Sequence, residues 1–171
     1  SISSGNVNSW IGLGMVASRM YDYARAVSAF TQAVTRNPKK AAVWIMLGDA
    51  QFERGLCREA ITSYDRALEL EPENPVAWNQ RGIVQRALGS SADALASFEF
   101  ASSRGTDKPD PLINHAVTCF ELGEYGNTIT SFEKACKIGP IPADSWRIYL
   151  NALAYQNEHQ KLIRVAERFL E

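Results

Sequence analysis

The chain is poor in cysteine: Cys57, Cys119 and Cys136 form an odd set with no C-x-x-C pair. That argues against a disulfide framework, and it points to a reducing, cytoplasmic setting. No apolar run approaches the ~18 residues of a membrane span. The first six residues, Ser1 to Asn6, lack the basic and apolar regions of a signal peptide and read as a flexible leader. Neither sign of charge dominates, since 18 Lys and Arg stand against 19 Asp and Glu for a net charge of -1, and Lys39-Lys40 is the only adjacent lysine pair. Nucleic acid and anionic membrane are therefore not the expected partners.

Tryptophan is also scarce, yet its placement is regular. Trp10, Trp44 and Trp78 are each 34 residues apart, and Trp146 follows after two further periods, with Leu112 at the intervening place. A fixed period of this length marks a stacked-repeat architecture. Taking tryptophan as position 4 divides residues 7–171 into units 7–40, 41–74, 75–108, 109–142 and a shorter 143–171, one continuous array.

Other positions repeat in step. Position 8 is Gly14, Gly48, Gly82, Ala116 and Leu150; position 20 is Ala26, Ala60, Ala94, Thr128 and Leu162. Position 24 is Phe30, Tyr64, Phe98 and Phe132, position 27 is alanine at 33, 67, 101 and 135, and position 32 supplies Pro38, Pro72 and Pro140. Apolar residues in each unit fall at helical spacing in two blocks. Between the blocks Gly55, Gly89 and Gly123 sit where a left-handed residue ends a helix, with Asn157 as a substitute in the last unit and Tyr21-Asp22 in the first. Each unit thus reads as a helical hairpin. The small residues at positions 8 and 20 let its helices approach, the aromatic at 24 fills space between neighbours, and the proline stops the second helix. Asp110 before Pro111 reads as the N-cap of the fourth unit.

Trp-x-x-Leu-Gly at 10–14 and 44–48, Trp-x-x-x-Gly at 78–82 and the Ala-x-x-x-aromatic-x-x-Ala series make the chain resemble the tetratricopeptide repeat (TPR) family over residues 7–171. The resemblance implies an all-α fold, a right-handed superhelical solenoid of antiparallel helix pairs in about five units. It also implies a concave face, lined mainly by first helices, that binds a peptide or helical segment of a partner protein. Catalysis by the repeat is not expected, and neither a cofactor nor a metal is implied.

By that resemblance the groove residues come from positions 2, 5, 9 and 12, with Asn114 from position 6. They include Ile11 and Met15 in the first unit; Ile45, Asp49 and Phe52 in the second; Asn79, Ile83 and Arg86 in the third. Ile113, Asn114, Val117 and Phe120 follow in the fourth, and Arg147 and Asn151 in the fifth. The row is mostly apolar, and packing inside a hairpin is already supplied by positions 4, 7, 8 and 11. Its isoleucines are therefore expected to face solvent and to need a cover. For any one of them the plainer alternative is partial burial against adjacent helices. The places where chaperone-binding members grip a terminal carboxylate hold no lysine or arginine in either register tested, so a carboxylate clamp is not expected.

The last unit departs from the pattern. Leu150, Leu162 and Phe169 replace small residues, which suits a terminal cap, and its second helix carries an apolar set, Val165, Phe169 and Leu170 among them. Self-association through that face, with another copy or with further repeats of a longer chain, is the alternative function. His115 and Cys119 lie four residues apart, a spacing able to join two metal ligands, yet they hold packing positions and read as core.

Overall fold

A computed structural model describes residues 4–104 and 107–168. Ten helices and no strand occur among the described residues, and they fall into two compact units, Ser1–Gly89 and Ser90–Glu171. Unit 1 holds α1 (Ser4–Arg19), α2 (Tyr23–Arg36), α3 (Ala41–Glu53), α4 (Cys57–Leu70) and α5 (Pro75–Ala87). Unit 2 holds α6 (Ser91–Ser103), α7 (Asp110–Glu121), α8 (Tyr125–Ile138), α9 (Ala143–Tyr155) and α10 (His159–Arg168). Odd-numbered helices are the first, and even-numbered helices the second, of successive repeats. α1 begins at Ser4, so the helical chain starts three residues inside the segment read as a leader.

The turns follow from their sequence. Gly55, Gly89 and Gly123 have φ of 76°, 81° and 77°, while Asn157 and Tyr21 take the same left-handed place at 58° and 59°. One residue later the backbone N–H reaches five residues back, as from Leu56 to Gln51 at 2.9 Å and from Glu124 to Cys119 at 2.8 Å. That bond satisfies a carbonyl the helix end would leave open. Two starts are capped by side chains: Asp22 accepts from Arg25 N at 3.1 Å, and Asn74 accepts from Val76 N and Ala77 N ahead of Pro75. Asp110 is not an N-cap. It is the first helical residue of α7, Pro109 precedes it, and no side chain caps that end.

In unit 1, α2 lies between α1 and α3, and α4 between α3 and α5. Ala26, Phe30, Ala33 and Val34 of α2 meet Ala17, Val43, Leu47 and Ala50, and the same arrangement recurs around Tyr64 of α4. The glycine at position 8 is explained by the ring at position 24. A Cβ on Gly14 would lie 2.5 Å from Phe30 Cε1, and one on Gly48 would lie 2.6 Å from Tyr64 Cε1. The aromatic residue therefore closes its own hairpin, where spacing alone suggested a filler between neighbours. Two tryptophans fasten their first helix to the loop before it: Trp44 Nε1 donates to the Pro38 carbonyl and Trp78 Nε1 to that of Pro72, both at 2.8 Å. Trp10 Nε1 is buried without such an acceptor among the described residues.

Unit 2 is organised around rings. Phe132 of α8 stacks on Tyr149 of α9 at 4.6 Å and 10°, with Trp146 edge-on to Phe132 at 5.0 Å. Ala116 of α7, Ala152 and Leu153 complete this core, and Leu162 and Val165 of α10 pack on it.

Candidate functional site

In unit 1 the predicted groove residues sit on the first helices α1, α3 and α5, and their exposure differs by row. Met15 is 48% exposed, Ile11, Phe52, Asn79, Ile83 and Arg86 are half-buried, and Ile45 is only 9% exposed within the α3–α4–α5 cluster. In unit 2 Ile113 is likewise buried at 8%, Asn114, Val117 and Phe120 are half-buried, and Arg147 and Asn151 are exposed. The expectation that Ile45 and Ile113 face solvent is thus corrected. Position 5 lies where its own helix turns toward the core, and a β-branched side chain there is covered by neighbouring helices. The most open row is position 2, exposed in every repeat and including Val76 at 54%, while positions 9 and 12 are half-buried in most repeats.

Asp49 is the one acidic side chain at position 9 of the first four repeats, and it is held in place. The buried hydroxyl of Tyr64 donates to its Oδ1 at 2.7 Å, and the amide of Gln80, from α5, donates to the same oxygen at 2.9 Å. Burial and the nearby Asp49 charge push the Tyr64 phenol well above its usual range, so it remains a donor. Asn79 donates to Gln80 at 3.4 Å, linking a second predicted groove residue to this set. Asp49 is only half-buried, and no cation reaches it among the described residues.

Unit 2 presents a different surface at the corresponding end of its first helices. Phe120, Tyr125 and Tyr155 form a cluster, with Tyr125 stacked on Tyr155 at 4.6 Å and 14° and Phe120 5.5 Å from Tyr125. Only Phe120 of the three was legible as a groove residue.

A polar set under α7 has the parts of a nucleophilic site. His115 Nδ1 is 2.9 Å from Ser131 Oγ and 3.4 Å from Cys119 Sγ, and its Nε2 is 3.5 Å from Glu99. Burial lowers the His115 pKa against the opposing pull of Glu99, and burial pushes the Cys119 thiol up to about 11. A fully buried, protonated thiol and a buried hydroxyl offer no accessible nucleophile, so these groups act as a satisfied core. Among the described residues no group of three His, Cys, Asp or Glu could hold a metal ion, and no helix is long and apolar enough to cross a membrane.

His115–Glu99 belongs to a series not foreseen from the sequence. Position 7 of a first helix faces an acid at position 25 of the preceding second helix three times: Arg81 Nε lies 2.7 Å from Asp65, His115 Nε2 3.5 Å from Glu99, and the Tyr149 hydroxyl donates to Glu133 at 3.1 Å. Each pair is 16 residues apart, a spacing that could have been found by asking which acids recur. Lys161 joins the last pair at 3.3 Å, placing α10 on Glu133. Of the self-association candidates, Val165 is half-buried and lines a cavity of about 340 Å³ with Trp146, Tyr149 and Cys136, while Phe169 and Leu170 lie outside the described residues.

The tetratricopeptide repeat model matches residues 11–75 and 45–109, together more than half of the chain. No curated protein matches the sequence. Among solved structures, MamA from Desulfovibrio magneticus RS-1 is 13% identical with a TM-score of 0.84, covering 98% of this chain and 95% of that one. PilF of Pseudomonas aeruginosa is 17% identical with a TM-score of 0.82, covering 93% of this chain and 72% of that one. YrrB, described as a TPR protein with an unusual peptide-binding site, is 17% identical with a TM-score of 0.71, covering 91% and 80%. The TM-scores show a shared fold, and at these identities the likeness is one of fold alone.

Proposed function

The chain belongs to the tetratricopeptide repeat family, and on that premise we propose that it is a protein-interaction scaffold whose first helices bind a peptide or helical segment of a partner. The observation that carries this reading is the face of unit 1, where exposed Met15 and half-buried Ile11, Phe52 and Ile83 accompany a positioned carboxylate. Apolar surface with a few fixed polar groups is the usual make-up of a recognition site. The printed description of YrrB as peptide-binding adds weight to the same use of the fold.

The scaffold acts without chemistry of its own, in a reducing compartment that suits three free thiols. Acidic C-terminal tails are not its ligands, because the clamp places carry Ile11, Met15, Met46, Val76 and Gln80, or Ile45, Asp49, Gln80, Asp110 and Asn114, none of them cationic. The test uses residues whose exposure spares the core. Met15→Glu together with Val76→Glu, at positions 48% and 54% exposed, should abolish capture of partners from the source organism while leaving circular dichroism unchanged. Undiminished capture by that folded variant would refute the reading.

A further inference from the structure

We propose that Asp49 is the charged anchor of the unit 1 groove, taking on its Oδ2 the lysine or arginine of a partner segment whose flanking residues are apolar. The inference rests on the groove reading and adds the chemistry of the ligand. Three observations carry it.

The first is register. Position 24 is Phe30, Tyr64, Phe98 and Phe132, and position 9 is Met15, Asp49, Ile83 and Val117, so the single hydroxyl and the single carboxylate occur in the same repeat. Phenylalanine closes the first hairpin in the same place, so packing does not require the pair. The second is how the carboxylate is held. Both donors, the Tyr64 hydroxyl and the Gln80 amide, go to Oδ1, and neither carries charge. Oδ2 makes no hydrogen bond among the described residues and is not among the buried unpaired atoms, so it is open to solvent.

The third is the setting. Half-buried Phe52 and Ile83 hold groove positions on the same and the next first helix, and no cation pairs with the Asp49 carboxylate among the described residues, a setting in which a charged group gains from a partner. A carboxylate with one oxygen fixed and the other free is already oriented for a charge-assisted hydrogen bond, which reduces the ordering cost of binding. Tyr64 and Gln80 are positioning residues, since they act through Asp49.

The experiment is selection of random 12-residue peptides on the wild-type protein and on Asp49→Asn, which keeps an acceptor for Tyr64. Wild type should enrich peptides with lysine or arginine at one place between apolar residues, and Asp49→Asn should enrich the apolar places without the cation. For the best lysine peptide, Asp49→Asn should weaken binding about tenfold and Tyr64→Phe about threefold, as for loss of a charge-assisted bond and of its support. Replacing that lysine by norleucine should cost wild type the same factor and cost Asp49→Asn nothing. Selected peptides without a cation preference, or an equal lysine-to-norleucine ratio in both proteins, would overturn the anchor while leaving the groove intact. Peptides that bind the Met15→Glu, Val76→Glu variant undiminished would overturn the groove reading and the anchor with it.

Discussion

In hairpins 1 and 2 the rings of Phe30 and Tyr64 occupy the space where Gly14 and Gly48 have no side chain, whereas hairpin 4 carries Ala116 at that place and its Phe132 is stacked on Tyr149. Unit 1 thus joins its helices by close approach of backbone and ring. Unit 2 joins them by ring on ring, backed by a polar set around His115. Their outward faces differ too, since one offers a positioned carboxylate and the other the Phe120, Tyr125 and Tyr155 cluster. The repeat pattern therefore specifies a backbone that different side-chain chemistries can complete, and recognition can vary from one part of the array to another without altering the fold.

The comparison is most sharply tested by Phe132→Ala. Losing a fully buried ring and its two aromatic contacts should cost about 4 kcal/mol by chemical denaturation, with hydrogen exchange rising in α7 to α10. Next in size is Gly48→Ala, where the added methyl must displace Tyr64 at an expected cost of about 2 kcal/mol. If the variant were as stable as wild type, close approach would not be what shapes unit 1. The reverse change, Ala116→Gly, should cost only about 1 kcal/mol through helix propensity and a small lost contact.

The polar core of unit 2 predicts a pH effect. Burial depresses the His115 pKa in the fold, with Glu99 and Glu124 pulling it up and Lys134 pushing it down, so the unfolded chain takes up a proton more readily than the folded one. Its contribution to stability is complete above about pH 6.5 and is lost as the pH falls below that. The melting temperature should drop between pH 7.5 and 5.5, and His115→Gln should flatten that slope. An unchanged slope in the variant would assign the titration elsewhere. The smallest effect concerns the first turn, where Tyr21 holds a φ of 59° that glycine adopts in hairpins 2 and 4. Tyr21→Gly should stabilise by about 0.5 kcal/mol, relief of strain being partly offset by chain entropy.

Much of the fold was legible in the residues. The tryptophan spacing, the alanines at position 27 and the turn residues, Asn157 included, all stand where their repeat required. These features are readable because each depends on a few neighbours in sequence: a helix period, a left-handed residue, a proline that cannot continue. The candidate site was legible as a set of rows but not in its exposure. Periodicity tells which way Ile45 and Met15 turn on their helices and cannot tell how far the next helix covers them; one proved buried and the other open. The pairs Tyr64–Asp49 and Arg81–Asp65 were visible only as letters, since their meaning depends on how the antiparallel helices are offset.

From its sequence alone this protein was bound to be a run of helical hairpins with tryptophan, alanine and aromatic residues inside, because those requirements are local and repeat every 34 residues. Only the tertiary structure decided how far each groove row is covered, with Met15 left open and Ile113 buried. It alone also decided that Ile45 closes a core and that both donors to Asp49 go to one oxygen, leaving the other without a hydrogen bond among the described residues. These outcomes turn on distances of a few ångströms between helices remote in sequence, and such distances are set by the packing of all the side chains together.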